Sequence, residues 1–67
     1  MNRIEADSGG NVLVIAIVKG DERYVVVYET ESRGDAVRQL GRWALDDSLR
    51  FGWKDFDAGI KGMRNLS

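Results

Sequence analysis

The stretch Asn11 to Val18, "NVLVIAIV", constrains the fold of this chain more than any other. Its residues are apolar at both odd and even positions, and most of them are β-branched, a combination typical of a strand that is covered on both faces. It is too short to cross a bilayer, which takes about 20 apolar residues. We therefore predict a central strand here and no membrane span.

The segment Arg23 to Glu29, "RYVVVYE", has the same β preference but is bordered by charged residues and tyrosines. Between the two segments, Gly20 and Asp21 fit a two-residue type II′ turn, which needs a positive φ at its first position. This turn predicts the register of a hairpin, with five cross-strand pairs: Ile17 with Tyr24, Ala16 with Val25, Ile15 with Val26, Val14 with Val27, and Leu13 with Tyr28.

The second half of the chain predicts a helix, a strand and another helix. Ser32 and Asp35 resemble a capping box that opens a helix ending near Asp46. Its apolar face contains Val37, Leu40, Gly41 and Ala44, flanked by Ala36 and Trp43, and Gly41 is predicted to mark a close approach to the sheet. Leu49, Phe51 and Trp53 then alternate with polar residues as in a half-buried strand, and Asp55 is predicted to cap a last helix bearing Phe56, Ile60 and Met63.

Together these elements predict an α+β fold of the type ββαβα. Residues 1–10 are polar, end in glycines and are predicted to be a flexible leader, whereas residues 11–67 form a single small domain. The three predicted strands form a mainly antiparallel sheet in the order 2-1-3, packed with two helices.

The composition argues against catalysis. The chain has no cysteine and no histidine, so it lacks disulfides, the usual zinc ligands and the common base for a serine nucleophile. Four aspartates could be imagined as an acid pair or a magnesium site, but loop solvation and helix capping explain them better: Asp46, Asp47, Asp55 and Asp57. We predict a non-enzymatic protein without metal or cofactor, and the cytoplasm as its location.

A sheet with two apolar faces and few helices to cover them predicts an exposed apolar surface, and such surfaces usually mark interfaces. Self-association would also support a domain this small. We therefore predict a regulatory or interaction module that forms a homodimer, or binds another protein, through one sheet face. The candidate interface residues are Leu13, Ile15, Tyr24, Val26 and Tyr28, although the two tyrosines fit an ordinary core equally well.

Nucleic-acid binding is the alternative function. The net charge of −1 gives no general attraction to phosphates. A local basic surface could nevertheless form from four cations on the predicted helix and the strand after it, with Trp43 or Trp53 stacking on a base: Arg38, Arg42, Arg50 and Lys54. Against this, Phe51 and Trp53 are predicted to belong to the core.

Three blocks of sequence, "ERYVVVYE", "LGRWA" and "LRFGW", occur in an order that resembles a family of short, uncharacterised bacterial proteins. The resemblance spans roughly Val12 to Ile60. It implies a compact domain and carries no catalytic or ligand-binding residue to this chain.

Overall fold

The computed structural model describes residues 2–66, which form a three-stranded antiparallel sheet followed by two α-helices. The strands are β1 (Asn2–Gly9), β2 (Val12–Lys19) and β3 (Glu22–Glu29). A short 3-10 turn (Thr30–Ser32) leads into α1 (Arg33–Leu45), and α2 (Trp53–Leu66) ends the described chain. The α+β class is thus confirmed, but the order of elements is βββαα.

The central hairpin agrees with its sequence signals. β2 lies in the middle of the sheet, and all five predicted pairs between β2 and β3 are present, including Ile15 with Val26. Gly20 has a φ of +61°, as the first position of a type II′ turn requires, and Asp21 does not have a positive φ. The two-residue turn and the hydrophobic pattern therefore select the same register.

The predicted flexible leader is wrong, because residues 2–9 form strand β1. β1 pairs antiparallel with β2, and the connection is a second tight turn in which Gly10 has a φ of +67°. Within β1, Ile4 and Ala6 alternate with Arg3 and Glu5, a period-2 pattern of low hydrophobicity. Because β1 takes the free edge of β2, the strands lie in chain order, and the predicted order 2-1-3 is also wrong.

The third predicted strand, residues 49–54, does not form. Leu49 to Gly52 is a loop, and Trp53 is already the first residue of α2. Asp55, in the first turn of α2, accepts a hydrogen bond from the Gly52 backbone N–H at 2.8 Å, so it caps the helix from inside its first turn. The alternating residues of this segment reflect separate roles: Phe51 is buried, whereas Trp53 is exposed.

The start of α1 also differs in detail from the prediction. Ser32 is the N-cap residue, but its side chain makes no capping hydrogen bond, and Asp35 instead forms an ion pair with Arg38 at 2.9 Å. The capping box is therefore absent at this helix. Ala36 and Leu40 are the buried residues of α1.

The core lies between one face of the sheet and the helices. α2 packs over β1 and β2, α1 packs against β3, and the helices also contact each other. The side chains at the centre are Leu13, Ile15, Ile17, Val26, Tyr28, Leu40, Phe51 and Met63. Leu40 has no exposed surface, so it joins the two helices to the sheet.

The close approach predicted at Gly41 occurs instead at Gly59 of α2. A Cβ atom at Gly41 would meet its nearest neighbour at an ordinary 3.9 Å. At Gly59, by contrast, it would lie 2.9 Å from Leu40 Cδ1 and 3.2 Å from Ile17 Cδ1. Glycine at position 59 thus permits α2 to approach both α1 and the sheet.

Replacing Gly59 with valine is expected to lower the free energy of unfolding by about 1–3 kcal/mol, because the added methyl groups overpack a filled core. Gly34→Ala is the matched control, since no atom lies within 4 Å of a Cβ at that helical position. This control should be neutral or stabilising by up to about 1 kcal/mol. Urea unfolding followed by circular dichroism measures both changes, and an equal loss at the two sites would contradict the close approach.

No helix within residues 2–66 is both long enough and apolar enough to cross a membrane.

Candidate interaction surfaces

The sheet has one face that neither helix covers, which we call the open face. Side chains alternate between the two faces of a strand, so every second residue of β2 and β3 lies on this face and its chain neighbours point into the core. The apolar residues of the open face are Val12, Val14, Ala16, Val18, Val25 and Val27. Val12 and Val25 are each 44% exposed and Val27 is 62% exposed. The three exposed valines are neighbours on the sheet and form one apolar patch.

One end of the open face is shielded by charged side chains. Glu5 of β1 forms ion pairs with Arg3 at 3.0 Å and with Arg23 of β3 at 2.6 Å. The contact with Arg23 bridges the two outer strands across β2, whose Ala16 and Val18 are buried although no helix covers them. The long charged side chains therefore cover this end, and the apolar surface is concentrated near Val12, Val25 and Val27.

The predicted interface residues lie on the opposite face of the sheet. Leu13, Ile15, Val26 and Tyr28 are buried in the core beneath the helices, and Tyr24 is half-buried beside them. The helices use this face as their packing surface, so these side chains are not available to a partner of the folded chain. The prediction of an apolar sheet face at the surface holds, but it named the wrong face.

A groove follows the free edge of β3, where α1 lies beside the strand. We call it the edge groove; it is open to solvent, has a volume of about 700 Å³, and is lined by Val25, Val27 and Glu29 of β3 and by Ser32, Asp35 and Gln39 on the helix side. The groove is continuous with the open face, because Val12, Val25 and Val27 belong to both. It is therefore part of the same exposed surface.

A second groove, which we call the loop groove, lies beside residues 49–55 and has a volume of about 480 Å³. Lys19 Nζ donates hydrogen bonds there to the Arg50 carbonyl oxygen and, at 2.7 Å, to Asp55 Oδ2. Asp55 thus binds both the end of β2 and the start of α2. These contacts hold the loop against the sheet. The ion pair with Lys19 also balances the charge of Asp55, one of the aspartates considered above for an acid pair.

The four cations proposed for nucleic-acid binding are all exposed but do not form one strip. Arg38 and Arg42 lie on α1, and Arg38 is paired with Asp35. Arg50 and Lys54 line the loop groove instead of sharing a strand with each other. The strand that was predicted to align them is the loop and first turn described above.

The two tryptophans have different environments. Trp43 is half-buried and forms an aromatic cluster with Tyr24 and Phe51, with ring centroids 5.1–5.6 Å apart. Trp53 is 56% exposed, contacts Phe56 edge-to-face and lies between Arg50 and Lys54 along the chain. Phe51 is thus a core residue as predicted, whereas the placement of Trp53 in the core is wrong.

The remaining predicted acidic site does not assemble. Asp46 accepts hydrogen bonds from the backbone N–H and the hydroxyl of Ser48, which lower its pKa, and Asp57 pairs with Lys61 at 3.2 Å. Within the part of the chain that the structure describes, no three acidic residues are grouped so that they could hold a metal ion. These aspartates serve a turn and a helix surface.

Burial raises the pKa of both Tyr24 and Tyr28 above the usual value of 10.0, and the hydrogen bond from the Tyr24 hydroxyl to Glu22 raises the pKa of Tyr24 further. The folded chain then holds these protons more tightly than the unfolded chain. The stabilisation that these two tyrosines provide should therefore be fully present below about pH 10. It should be lost as the pH rises through their folded-state pKa values.

This pH dependence is measured by the melting temperature between pH 9 and pH 11. Tyr28→Phe removes one of the two ionisations, so we expect its melting temperature to fall less steeply with pH than that of the original chain. The two proteins differ in this one ionisable group, so the difference in slope isolates the tyrosine. Identical slopes would show that Tyr28 does not contribute.

Comparison of the chain with known protein families, with curated proteins and with solved structures found no match to any of them. The resemblance of the three sequence blocks to a family of short bacterial proteins therefore stays a prediction, and the functional argument rests on the surfaces described above.

Proposed function

We propose that the protein is a small, non-catalytic interaction module, of cytoplasmic location, that associates with itself through the exposed side of its sheet. The observation that carries this proposal is the open face, where Val12, Val25 and Val27 are exposed together. A complex in which a partner removes such an apolar surface from water is stabilised by the hydrophobic effect.

The size of the domain supports the same proposal. A chain of 67 residues buries a smaller fraction of its surface than a larger domain does, and this one has no disulfide that could add stability. One layer of helices covers one face of the sheet, which leaves β2, the most apolar strand, half-covered. A second copy that covers part of Val25 and Val27, which lie on β3 beside β2, would remove apolar surface from water without any other partner.

The non-catalytic part of the proposal is supported by the side chains available. The chain has neither histidine nor cysteine, and the carboxylates of Asp46, Asp55 and Asp57 bind a serine or a lysine of the same chain. Neither groove brings together a nucleophile, a base and an oxyanion donor, the minimum that acyl transfer would require.

The experiment compares Val27→Lys with Leu45→Lys by sedimentation velocity over a concentration series. Both positions are exposed and both substitutions add one positive charge, but Leu45 lies at the end of α1, away from the sheet. We expect Val27→Lys to weaken self-association at least tenfold and Leu45→Lys to leave it unchanged. Equal behaviour of the two variants would contradict a role for the open face.

Nucleic-acid binding is retained as a second candidate because of Trp53. Its exposed ring lies in the loop groove, where Arg50 and Lys54 could contact phosphates while the indole stacks on an unpaired base. Titration with single-stranded RNA and DNA at several salt concentrations tests this, because phosphate contacts weaken steeply as salt rises. If neither nucleic acid quenches the tryptophan fluorescence or shifts in a gel at low salt, this candidate is eliminated.

A further inference from the structure

The edge of β3 that faces away from β2 offers unused hydrogen-bonding groups. Lys19 and Glu22 flank the two-residue turn of the hairpin and form a hydrogen-bonded pair. Hydrogen-bonded pairs then recur at every second residue, so the β3 residues bonded to β2 are Glu22, Tyr24, Val26 and Tyr28. The residues between them direct their backbone N–H and C=O groups outward: Arg23, Val25, Val27 and Glu29. β3 is the last strand of the sheet, and no strand or loop of residues 2–66 pairs with its outer edge.

We propose that a second copy of the chain pairs its own β3 antiparallel with this edge, in the register that places Val26 opposite Val26, to form a continuous six-stranded sheet. In this register Arg23, which also pairs with Glu5 of its own chain, faces the partner's Glu29, and Val25 faces the partner's Val27. The inference deepens the self-association proposed above, on which it rests, by naming the segment and the register.

Charge complementarity selects this register. The two-fold axis through Val26 creates two Arg23–Glu29 pairs, one at each end of the paired strands, and two Val25–Val27 pairs between them. Outward-facing residues meet only outward-facing residues, as an antiparallel ladder requires. A shift by two residues in either direction preserves the hydrogen bonding, but Arg23 then no longer faces the partner's Glu29 and opposite charges remain unpaired within the strands.

The remaining surfaces agree with this arrangement. All four outward-facing residues of β3 have their side chains on the open face, so Val25 of each copy would pack beside the partner's Val27 and lose part of its exposed surface. On the helix side, the edge groove provides space next to the strand. Two-fold symmetric contacts of this type, in which the same patch is used twice, are the commonest in homodimers.

The other free edge of the sheet is less suitable. The outer edge of β1 presents one large apolar residue, Ile4, among small and charged ones, and charges along an edge strand oppose pairing with another chain. β3 presents two exposed valines among its outward-facing residues, Val25 and Val27. Apolar burial therefore favours β3 over β1 as the site of strand addition.

An exchange of charges tests the proposed register. In a homodimer of Arg23→Glu, two pairs of glutamates would oppose each other, and in a homodimer of Glu29→Arg, two pairs of arginines would do so. We expect each variant alone to dissociate at least about tenfold more readily than the original chain. In an equimolar mixture both Arg–Glu pairs are restored, one in the original orientation and one reversed, so the mixture should form a heterodimer about as stable as the original dimer.

Matched controls separate this effect from damage to the single chain. Arg3→Glu also removes an ion pair with Glu5 and changes the charge equally, but it lies on β1. Glu31→Arg matches the charge change of Glu29→Arg just beyond β3. Both controls should retain the original dimer, and circular dichroism should show all variants folded. If the charge variants dimerise alone as well as the controls do, the register is wrong.

Engineered cysteines read the register directly, because the chain has none of its own. Residues in a hydrogen-bonded antiparallel pair have Cα atoms about 5.5 Å apart, within the range of a disulfide. We expect Val25→Cys mixed with Val27→Cys to cross-link on mild oxidation, and neither variant to cross-link alone. Efficient self-linking of either variant would instead indicate a register shifted by two residues.

The outcomes also separate the two proposals. A dimeric original chain whose charge variants stay dimeric would overturn the β3 register and retain self-association. An original chain that stays monomeric at every concentration would overturn both.

Discussion

Leu40→Ala is expected to lower the free energy of unfolding by about 3–5 kcal/mol, the range observed when a fully buried leucine leaves a cavity. Leu40 has no exposed surface, belongs to the central cluster and lies against the backbone of Gly59, where α2 approaches most closely. A domain of 67 residues has a total stability of only about 3–10 kcal/mol. The variant should therefore be partly unfolded at 25 °C.

The matched control for this prediction is Leu45→Ala, which makes the same chemical change five residues later in the same helix. Leu45 is 72% exposed, so its loss should change the free energy of unfolding by about 0.5 kcal/mol or less. Urea unfolding of the two variants, followed by far-ultraviolet circular dichroism, measures the difference. Similar midpoints for the two would contradict the position of Leu40 at the junction of helices and sheet.

Phe51→Ala is the second substitution with a large expected effect, a loss of about 3–5 kcal/mol. Phe51 is the buried residue of the loop between α1 and α2, and its ring contacts Tyr24 and Trp43 edge-to-face. Aromatic pairs of this geometry contribute about 0.5–1.5 kcal/mol beyond the area that they bury. Removing the ring should both empty the cluster and release the loop.

Trp53→Ala is the informative comparison for Phe51. If residues 49–54 formed a strand, the two aromatic residues would point to the same side and their losses would be similar. In the structure Trp53 is exposed at the start of α2, so its replacement should cost about 1 kcal/mol or less. Thermal unfolding distinguishes the two cases, and a large loss for Trp53→Ala would restore the strand interpretation.

The central hairpin could be predicted from sequence because two independent local signals agree there. A glycine at the first position of a two-residue turn fixes the register, and the apolar runs on both sides fit it. The same turn chemistry occurs at Gly10 and Asn11, but the strand before it has only one large apolar residue, Ile4. The low hydrophobicity of β1 therefore hides this strand, although the turn signal after it is present.

The loop at residues 49–52 was misread for the opposite reason. Alternating apolar residues satisfied the strand period, but Phe51 is buried for aromatic contacts and Trp53 begins a helix. The signal that separates the two interpretations is Gly52 followed by Asp55, in which the aspartate accepts a hydrogen bond from the backbone at the helix start. Asp55 also pairs with Lys19 of β2, and a contact between distant residues leaves no trace in the spacing of apolar residues along the sequence.

The sequence identifies the covered face of the sheet only when residues 2–9 are recognised as a strand. β2 is apolar on both faces, so it carries no information on which one the helices choose. β1 does carry that information, because Arg3 and Glu5 lie on the open face and Ile4 lies beneath α2. Recognition of β1 would therefore have moved the candidate interface from Leu13 and Tyr28 to Val25 and Val27.

The central claim is that the exposed side of the sheet binds a second copy of the chain, and the molar mass in solution tests it most directly. Light scattering after size exclusion, over a hundredfold range of concentration, should show a mass that rises from the 7.5 kDa of one chain to twice that value. A mass that stays at that of one chain at the highest concentration would contradict the claim.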